Sequence, residues 1–210
     1  VFRRASWEDR TLFSSSQAGL VNNLNDGLAW GLFPVFFAEA GLSVDEIGIL
    51  AAAYPAVWGI LQIGTGALSD AVGRKRLIVA GMGVQAAALA MLPLFSGFGP
   101  WLLASALLGL GTALVYPTLL AAVSDRAHPS WRSSAVGTYR LWRDLGYPIG
   151  ALLAGGIADL IGVGGAIWTV GGLTLLSGLT VSRCMAATAV PDSPAGGSWF
   201  GRLAAGLTGN

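Results

Sequence analysis

Long apolar segments separated by short polar connections dominate the pattern of this chain. A helix needs about 20 predominantly apolar residues to cross the hydrocarbon core of a bilayer. Six segments reach that length, and they cover residues 14–38, 46–69, 76–95, 99–123, 134–160 and 163–187. The pattern therefore predicts an all-α, polytopic membrane protein with six transmembrane helices.

The flanking segments differ from the apolar core in composition. Residues 1–13 are polar and basic, and we expect them to form a cytoplasmic linker or N-terminal segment. Residues 14–187 form the predicted six-helix membrane domain. Residues 188–210 are rich in Gly, Pro and Ser, which predicts a flexible cytoplasmic tail.

Basic residues are distributed unevenly among the connections. All twelve lie at the start, in the second connection, from the fourth connection into the fifth helix, or at the end. The connections near Gly41, Gly97 and Gly162 contain none. Cytoplasmic loops of membrane proteins carry an excess of Lys and Arg. The asymmetry predicts a cytoplasmic-membrane protein with an even number of spans and both termini in the cytoplasm.

Composition excludes several function classes. Hydrophobic residues make up 54% of the chain and charged residues 11%, whereas soluble domains are about one quarter charged. The net charge is only +1, whereas nucleic-acid-binding domains are usually strongly basic. Cys184 and His128 each stand alone, and no phosphate-binding loop is present. We therefore expect no cofactor, no metal site and no enzyme activity. The expected partners are the lipid bilayer and a small-molecule substrate.

The connection between the second and third predicted helices carries the most specific motif. Its characteristic residues are Gly66, Asp70, Gly73, Arg74, Lys75 and Arg76. One interpretation is a turn that only sets topology; the other is a gate latch in which Asp70 pairs with an arginine or a helix N-terminus in one conformation. The spacing closely resembles the signature loop of the major facilitator superfamily of secondary transporters, which joins the second and third helices of a six-helix half.

The resemblance extends over about residues 14–187. Asp125-Arg126, Pro129 and the glycine-rich segment 137–150 are similar to the fourth connection and fifth helix of such a half. The antiporter pattern has Gly-Pro near the centre of that helix, whereas this chain has Gly150-Ala151, so antiport is not inferred.

The resemblance implies a second half and a site between the halves. Members of this family have two six-helix halves, with substrate bound between them near the membrane midplane. By this resemblance the chain would supply one half, and the linker-like residues 1–10 favour the C-terminal half. The second half would come from a missing portion of the protein or from a separate chain.

Polar residues inside the first predicted helix are the candidates for a substrate cavity. Asn22, Asn25 and Asp26 share one helical face, whereas Asn23 points elsewhere. A charge at that depth costs about 2.5–3.5 kcal/mol on insertion scales, so it should face protein or water. Lining of a cavity together with Gln62, or relay of a proton through Asp26, is one interpretation. Packing between helices is the other.

Charged residues near the cytoplasmic end of the fifth helix form a second candidate cluster. Its members are Asp125, Arg126, Arg140, Arg143 and Asp144. Arg140 and Asp144 are four residues apart and can pair on one helical face. The cluster is either an ion-pair network at the membrane surface or a gate charge.

These features together predict transport of a small solute by alternating access, coupled to an ion gradient. Asp70 and Arg74 would act at the cytoplasmic gate. The alternative is a non-transporting membrane fragment or scaffold from a truncated transporter gene.

Overall fold

The computed structural model describes residues 1–186, which are all-helical apart from short turns. The helices are α1 (Arg10–Glu39), α2 (Val44–Val72), α3 (Arg74–Leu94), α4 (Phe98–Arg126) and α5 (Arg132–Cys184), with a π-helical turn at Arg4–Glu8 and a 3₁₀ turn at Pro129–Trp131. The predicted tail, residues 188–210, lies outside the described residues.

Side chains at the helix starts satisfy backbone groups that have no partner within the helix. Asp9 accepts hydrogen bonds from the N–H groups of Thr11 and Leu12 at the start of α1. Ser43 and Glu46 form a reciprocal capping box at the start of α2. These caps fix where α1 and α2 begin, whereas the starts of α3, α4 and α5 have no side-chain cap from residues 1–186.

Helix α5 consists of two arms that meet at Gly162. This glycine has φ 81°, which interrupts the helix between an N-terminal arm (132–161) and a C-terminal arm (163–184). The contacts with α1 pair Gly19 with Tyr139 and Gly27 with Ala151 on the first arm, and Asn25 with Thr174 and Gln17 with Ser177 on the second. The first arm therefore runs parallel to α1 and the second runs antiparallel to it.

Glycines with positive φ also mark the other tight connections. Gly41, Gly73 and Gly97 have φ of 85°, 95° and 108°. Side chains with a Cβ rarely adopt this region, so glycine suits these reversals. Gly73 both ends α2 and precedes α3, which keeps that cytoplasmic turn short.

The helices differ in how much of their surface the bundle covers. Four of the described helices are long and apolar enough to cross a membrane: α2, α3, α4 and the segment that contains α5. α1 has the length of a span but carries many polar side chains. α2 and the N-terminal arm of α5 are largely uncovered, as Ile63 and Leu152, 86% and 78% exposed, illustrate.

Candidate functional site

The polar residues of α1 lie in the interior of the bundle. Asn22, Asn25 and Asp26 are 1%, 0% and 1% exposed, and every residue from 22 to 29 is buried. α1 is therefore surrounded by its neighbours at this level. Polar side chains in such an environment need hydrogen-bond partners from neighbouring helices.

The asparagines bond to α3 and to the C-terminal arm of α5. Asn25 Nδ2 donates to Gln85 Oε1 at 3.1 Å, and Asn25 Oδ1 accepts from the Thr174 hydroxyl at 2.8 Å. Gln85 Nε2 donates to Asn22 Oδ1 at 2.7 Å. Three helices are joined by these bonds, in which Asn25 and Gln85 each donate and accept and Asn22 accepts.

Asp26 faces a different pair of helices. The Tyr54 hydroxyl of α2 donates to Asp26 Oδ1 and lies 3.2 Å from Thr112 Oγ1 of α4. Gln85 Nε2 lies 2.9 Å from the same Thr112 oxygen. Thr112 therefore connects the two groups, and one polar network links α1, α2, α3, α4 and α5.

The directions of these bonds define what the network can do. Because Gln85 donates to Thr112 and Tyr54 donates to Asp26, the Thr112 hydroxyl is left to donate to Tyr54. Asp26 Oδ2 has no hydrogen-bond partner among residues 1–186 although it is buried. A buried carboxylate oxygen without a partner is costly as an anion, so this atom is a suitable site for a proton or a ligand donor.

Gln62 lies outside the polar network. It is an exposed residue of α2 and lies closer than Tyr54 to the C-terminal end of that helix. A chain of aromatic rings instead borders the network: Trp30 with Tyr54 at 6.1 Å, Tyr54 with Trp58 at 6.3 Å, and Trp58 with Tyr116 at 5.6 Å between centroids.

The signature loop forms a compact set of ion pairs around Arg74. Its Nη2 lies 2.5 Å from Asp70 Oδ1, and its Nε lies 3.1 Å from Asp125 Oδ2 at the end of α4. It also donates to the hydroxyl of Ser69. Gly66 provides the carbonyl that accepts from this hydroxyl at 2.8 Å. Lys75 and Arg76 make no ion pair within the described part of the chain.

The second charge cluster separates into two groups. Arg126 pairs with Asp9 at 2.8 Å, whereas Arg143 pairs with Asp144 at 2.6 Å. Arg143 also donates to the Tyr116 hydroxyl at 2.9 Å. The expected Arg140–Asp144 pair is not formed, because Arg143, held by Tyr116, occupies the position beside Asp144. Arg140 is exposed and makes no ion pair in residues 1–186.

The pKa of Asp9, which lies between the π-helical turn and α1, is shifted from its ordinary value. Partial burial alone would raise the pKa of Asp9. Hydrogen bonds and charge from Arg126, together with the N–H groups of Leu12 and Thr11, outweigh it and hold the pKa below the ordinary 3.8.

Comparison with known proteins decides the family of this bundle. The family model described as the Major Facilitator Superfamily matches residues 17–206, which is most of the chain. This chain belongs to the major facilitator superfamily. With its long apolar helices, it is a multi-pass membrane protein of this transporter family.

Three Escherichia coli (strain K12) proteins of this kind show the extent of the match. Inner membrane transport protein YajR is 29% identical over 168 residues, 80% of this chain and 36% of the relative. Fosmidomycin resistance protein is 26% identical over 155 residues, which is 74% of this chain and 38% of the relative. Inner membrane transport protein YnfM is 27% identical over 148 residues, which is 70% of this chain and 36% of the relative. The chain spans little more than one third of the length of these relatives.

A solved structure shows the same fold. The crystal structure of peptide transporter POT (E310Q mutant) in complex with sulfate matches with a TM-score of 0.74 and 18% identity. The match covers 81% of this chain and 36% of that structure. At this identity it supports the facilitator-type fold alone.

Proposed function

We propose that this chain is one six-helix half of a facilitator-type secondary transporter that moves a small solute by alternating access. The observation that carries the proposal is the family match over residues 17–206, in a chain that spans 36–38% of the relatives. The six spans would be α1 to α4 and the two arms of α5. We assign the chain to the C-terminal half, because residues 1–13 resemble a linker between halves.

The uncovered helix faces support a second half as the partner. α2 packs on α4 and the N-terminal arm of α5 packs on α1, so these two elements lie on opposite flanks of the bundle. Both expose large apolar side chains along much of their length. A second six-helix bundle against α2 and the N-terminal arm would leave α1 and α4 between the halves.

Arg74 is the proposed centre of the cytoplasmic gate. It ties the end of α2 to the end of α4 through Asp70 and Asp125, and its side chain is only 14% exposed. Such a bridge stabilises one arrangement of the cytoplasmic helix ends and must break when they separate. The gate would therefore favour the conformation that is closed at the cytoplasmic side.

Asn22, Asn25 and Asp26 are the proposed polar centre of the transport site, with Gln62 further along α2. The described half buries the first three, the asparagines against α3 and the C-terminal arm of α5 and Asp26 against α2. Access to them therefore requires α1 to separate from these neighbours. We propose that Asp26 is the group that couples transport to protons. Its unpartnered Oδ2 accepts the proton, while the Tyr54 hydroxyl, itself in contact with Thr112, holds Oδ1.

Charge placement supports an orientation with both termini in the cytoplasm. Three contacts place the chain start, the second turn, the end of α4 and the end of α5 at one side of the bundle. They join Arg74 to Asp125, Arg126 to Asp9, and Ala186 to Thr11. That side carries most of the basic residues, as expected at the cytoplasmic face of the cell membrane.

Proton-coupled flux in proteoliposomes tests the proposed role of Asp26. The purified full-length transporter is screened against a panel of solutes, with a pH-sensitive dye in the lumen. We expect Asp26→Asn to abolish solute-dependent proton movement, because an amide cannot take up a proton. The matched control is Asp45→Asn, which makes the same change at an exposed residue near the start of α2. Coupled proton movement that survives in Asp26→Asn at the control level would refute the assignment.

A further inference from the structure

The chain before α1 folds back against the cytoplasmic end of the bundle. The Trp142 ring Nε1 of α5 donates to the Ser6 hydroxyl at 2.9 Å, and the rings of Phe2 and Trp7 lie 6.3 and 5.7 Å from that of Trp142. The π-helical turn at Arg4–Glu8 is therefore attached to the start of the N-terminal arm.

This attachment forms one wall of a cavity of about 470 Å³. The other walls are the end of α4 and the connection from α4 to α5. Three arginines line it, namely Arg4, Arg126 and Arg132, together with His128 and Trp131. The cavity lies at the proposed cytoplasmic end and is separate from the polar network around Asp26.

The two acids that line the cavity are already engaged. Asp9 accepts from Arg126 at 2.8 Å and from two backbone N–H groups. Asp125 pairs with Arg74 at 3.1 Å. Their charges are thus compensated by other groups, and Arg4 and Arg132 form no ion pair within residues 1–186.

Arg4 and Arg132 nevertheless have defined positions. The Arg4 guanidinium lies 5.1 Å from the centroid of the Trp131 ring, a cation–π geometry that holds it at the cavity. Arg132 begins α5, whose N-cap residue Trp131 supplies no side-chain hydrogen bond to the helix start. The positive end of the helix dipole therefore adds to the two guanidinium charges.

We infer that this cavity is a binding site for a phosphate group, carried by an anionic phospholipid headgroup or by free phosphate. Guanidinium groups bind phosphate oxygens through paired N–H bonds, and helix N-termini favour anions. Basic pockets between helix ends on the cytoplasmic side are suited to anionic headgroups. Trp131, partly buried at the rim, suits the membrane–water interface.

Native mass spectrometry of the purified full-length protein tests the inference. The protein is mixed with phosphatidylglycerol or phosphatidylcholine in detergent micelles, and the fraction that retains one lipid is titrated. We expect saturable retention of phosphatidylglycerol over phosphatidylcholine. The double variant Arg4→Gln, Arg132→Gln should weaken it by about tenfold or more, since charge-assisted hydrogen bonds are lost. The matched control, Lys75→Gln with Arg76→Gln, removes two cations of the same face outside the cavity.

A second experiment distinguishes the source of the phosphate. The unfolding midpoint of lipid-depleted protein is measured with inorganic phosphate and with chloride at equal ionic strength. A phosphate-specific rise that the double variant loses, without selective lipid retention, assigns the site to a free phosphate. The single variant Arg132→Gln, which leaves the Arg4–Trp131 contact intact, serves if the double variant unfolds.

Two results would overturn the inference. One is the absence of both selective lipid retention and a phosphate-specific rise in the native protein. The other is an equal loss in the cavity variant and in the Lys75, Arg76 control, which would mean general attraction to a basic surface.

Discussion

Asp9 is a single side chain that holds together two segments distant in sequence. It caps α1 and pairs with Arg126 at the end of α4. Because its pKa is lowered in the folded state, its ionised form contributes stability above the ordinary pKa of 3.8. That contribution is lost as the pH falls through the lowered folded pKa.

We predict that Arg126→Gln removes part of this pH dependence. The variant should be less stable than the native protein at neutral pH, because Asp9 loses its charged partner. The difference should shrink as the pH falls below 3.8 and disappear once Asp9 is protonated in the folded protein as well. Unfolding midpoints of both proteins in detergent, measured from neutral to acidic pH, check this. A difference that stays constant across the range would show that Asp9 and Arg126 are not linked.

Side-chain identity alone explains only part of the polar network. The sequence indicated Asn22, Asn25 and Asp26, because amides and an acid are conspicuous in an apolar segment. It gave no signal for Thr112 and Thr174, since threonines in apolar helices commonly bond to their own backbone. Their roles depend on which helices are neighbours, and no short-range pattern specifies that. The same reason explains the choice of Arg143 over Arg140 beside Asp144.

At the scale of helices, close packing of α1 on the N-terminal arm of α5 depends on small residues. A Cβ added at Gly150 would lie 2.6 Å from the carbonyl oxygen of Leu24, whereas a Cβ at Gly155 meets no atom within 4 Å. Glycine allows the two backbones to approach closely, as is common between membrane helices.

Substitution of these two glycines should have opposite effects. We expect Gly150→Ala to destabilise the bundle by about 1–3 kcal/mol, because the helices must move apart. Gly155→Ala should be neutral or stabilising by about 0.5–1 kcal/mol, since alanine favours helix. Unfolding in detergent measures both. Equal effects at the two positions would argue against close contact between α1 and α5.

The turn between α2 and α3 was largely predictable from the sequence. Gly73 is the residue that the reversal requires, and the positive φ values of Gly41, Gly97 and Gly162 agree with the predicted connections. The partner of the loop was not predictable, because Asp125 is 51 residues from Arg74. The sequence left open whether Asp70 meets an arginine or a helix N-terminus, and the structure pairs it with Arg74.

Bridging by Arg74 needs its planar group and not only its charge. We predict that Arg74→Lys slows transport, because one ammonium cannot reach both Asp70 and Asp125 in the same way. The loss should correspond to about 1 kcal/mol in the cytoplasmically closed state, given that both acids are partly exposed. Arg76→Lys, at a neighbouring arginine without an ion pair in residues 1–186, is the control. Equal flux in Arg74→Lys and Arg76→Lys would argue against a gate at Arg74.

At the scale of the whole molecule, we predict that this bundle is insufficient for transport. α2 and the N-terminal arm of α5 present apolar surface that a second bundle would cover, and the matched relatives are more than twice as long as the matched segment. Alternating access requires two bodies that move relative to one another, and we propose that this chain is one of them.

The most direct measurement compares solute flux for this chain alone and together with a second six-helix half. Both preparations are reconstituted into liposomes and assayed with the same solute panel and luminal pH dye, after correct insertion has been verified. We predict flux only when both halves are present. Equal flux from the chain alone would contradict the claim that it is one half, and inserted protein without flux in either preparation would favour a fragment or scaffold.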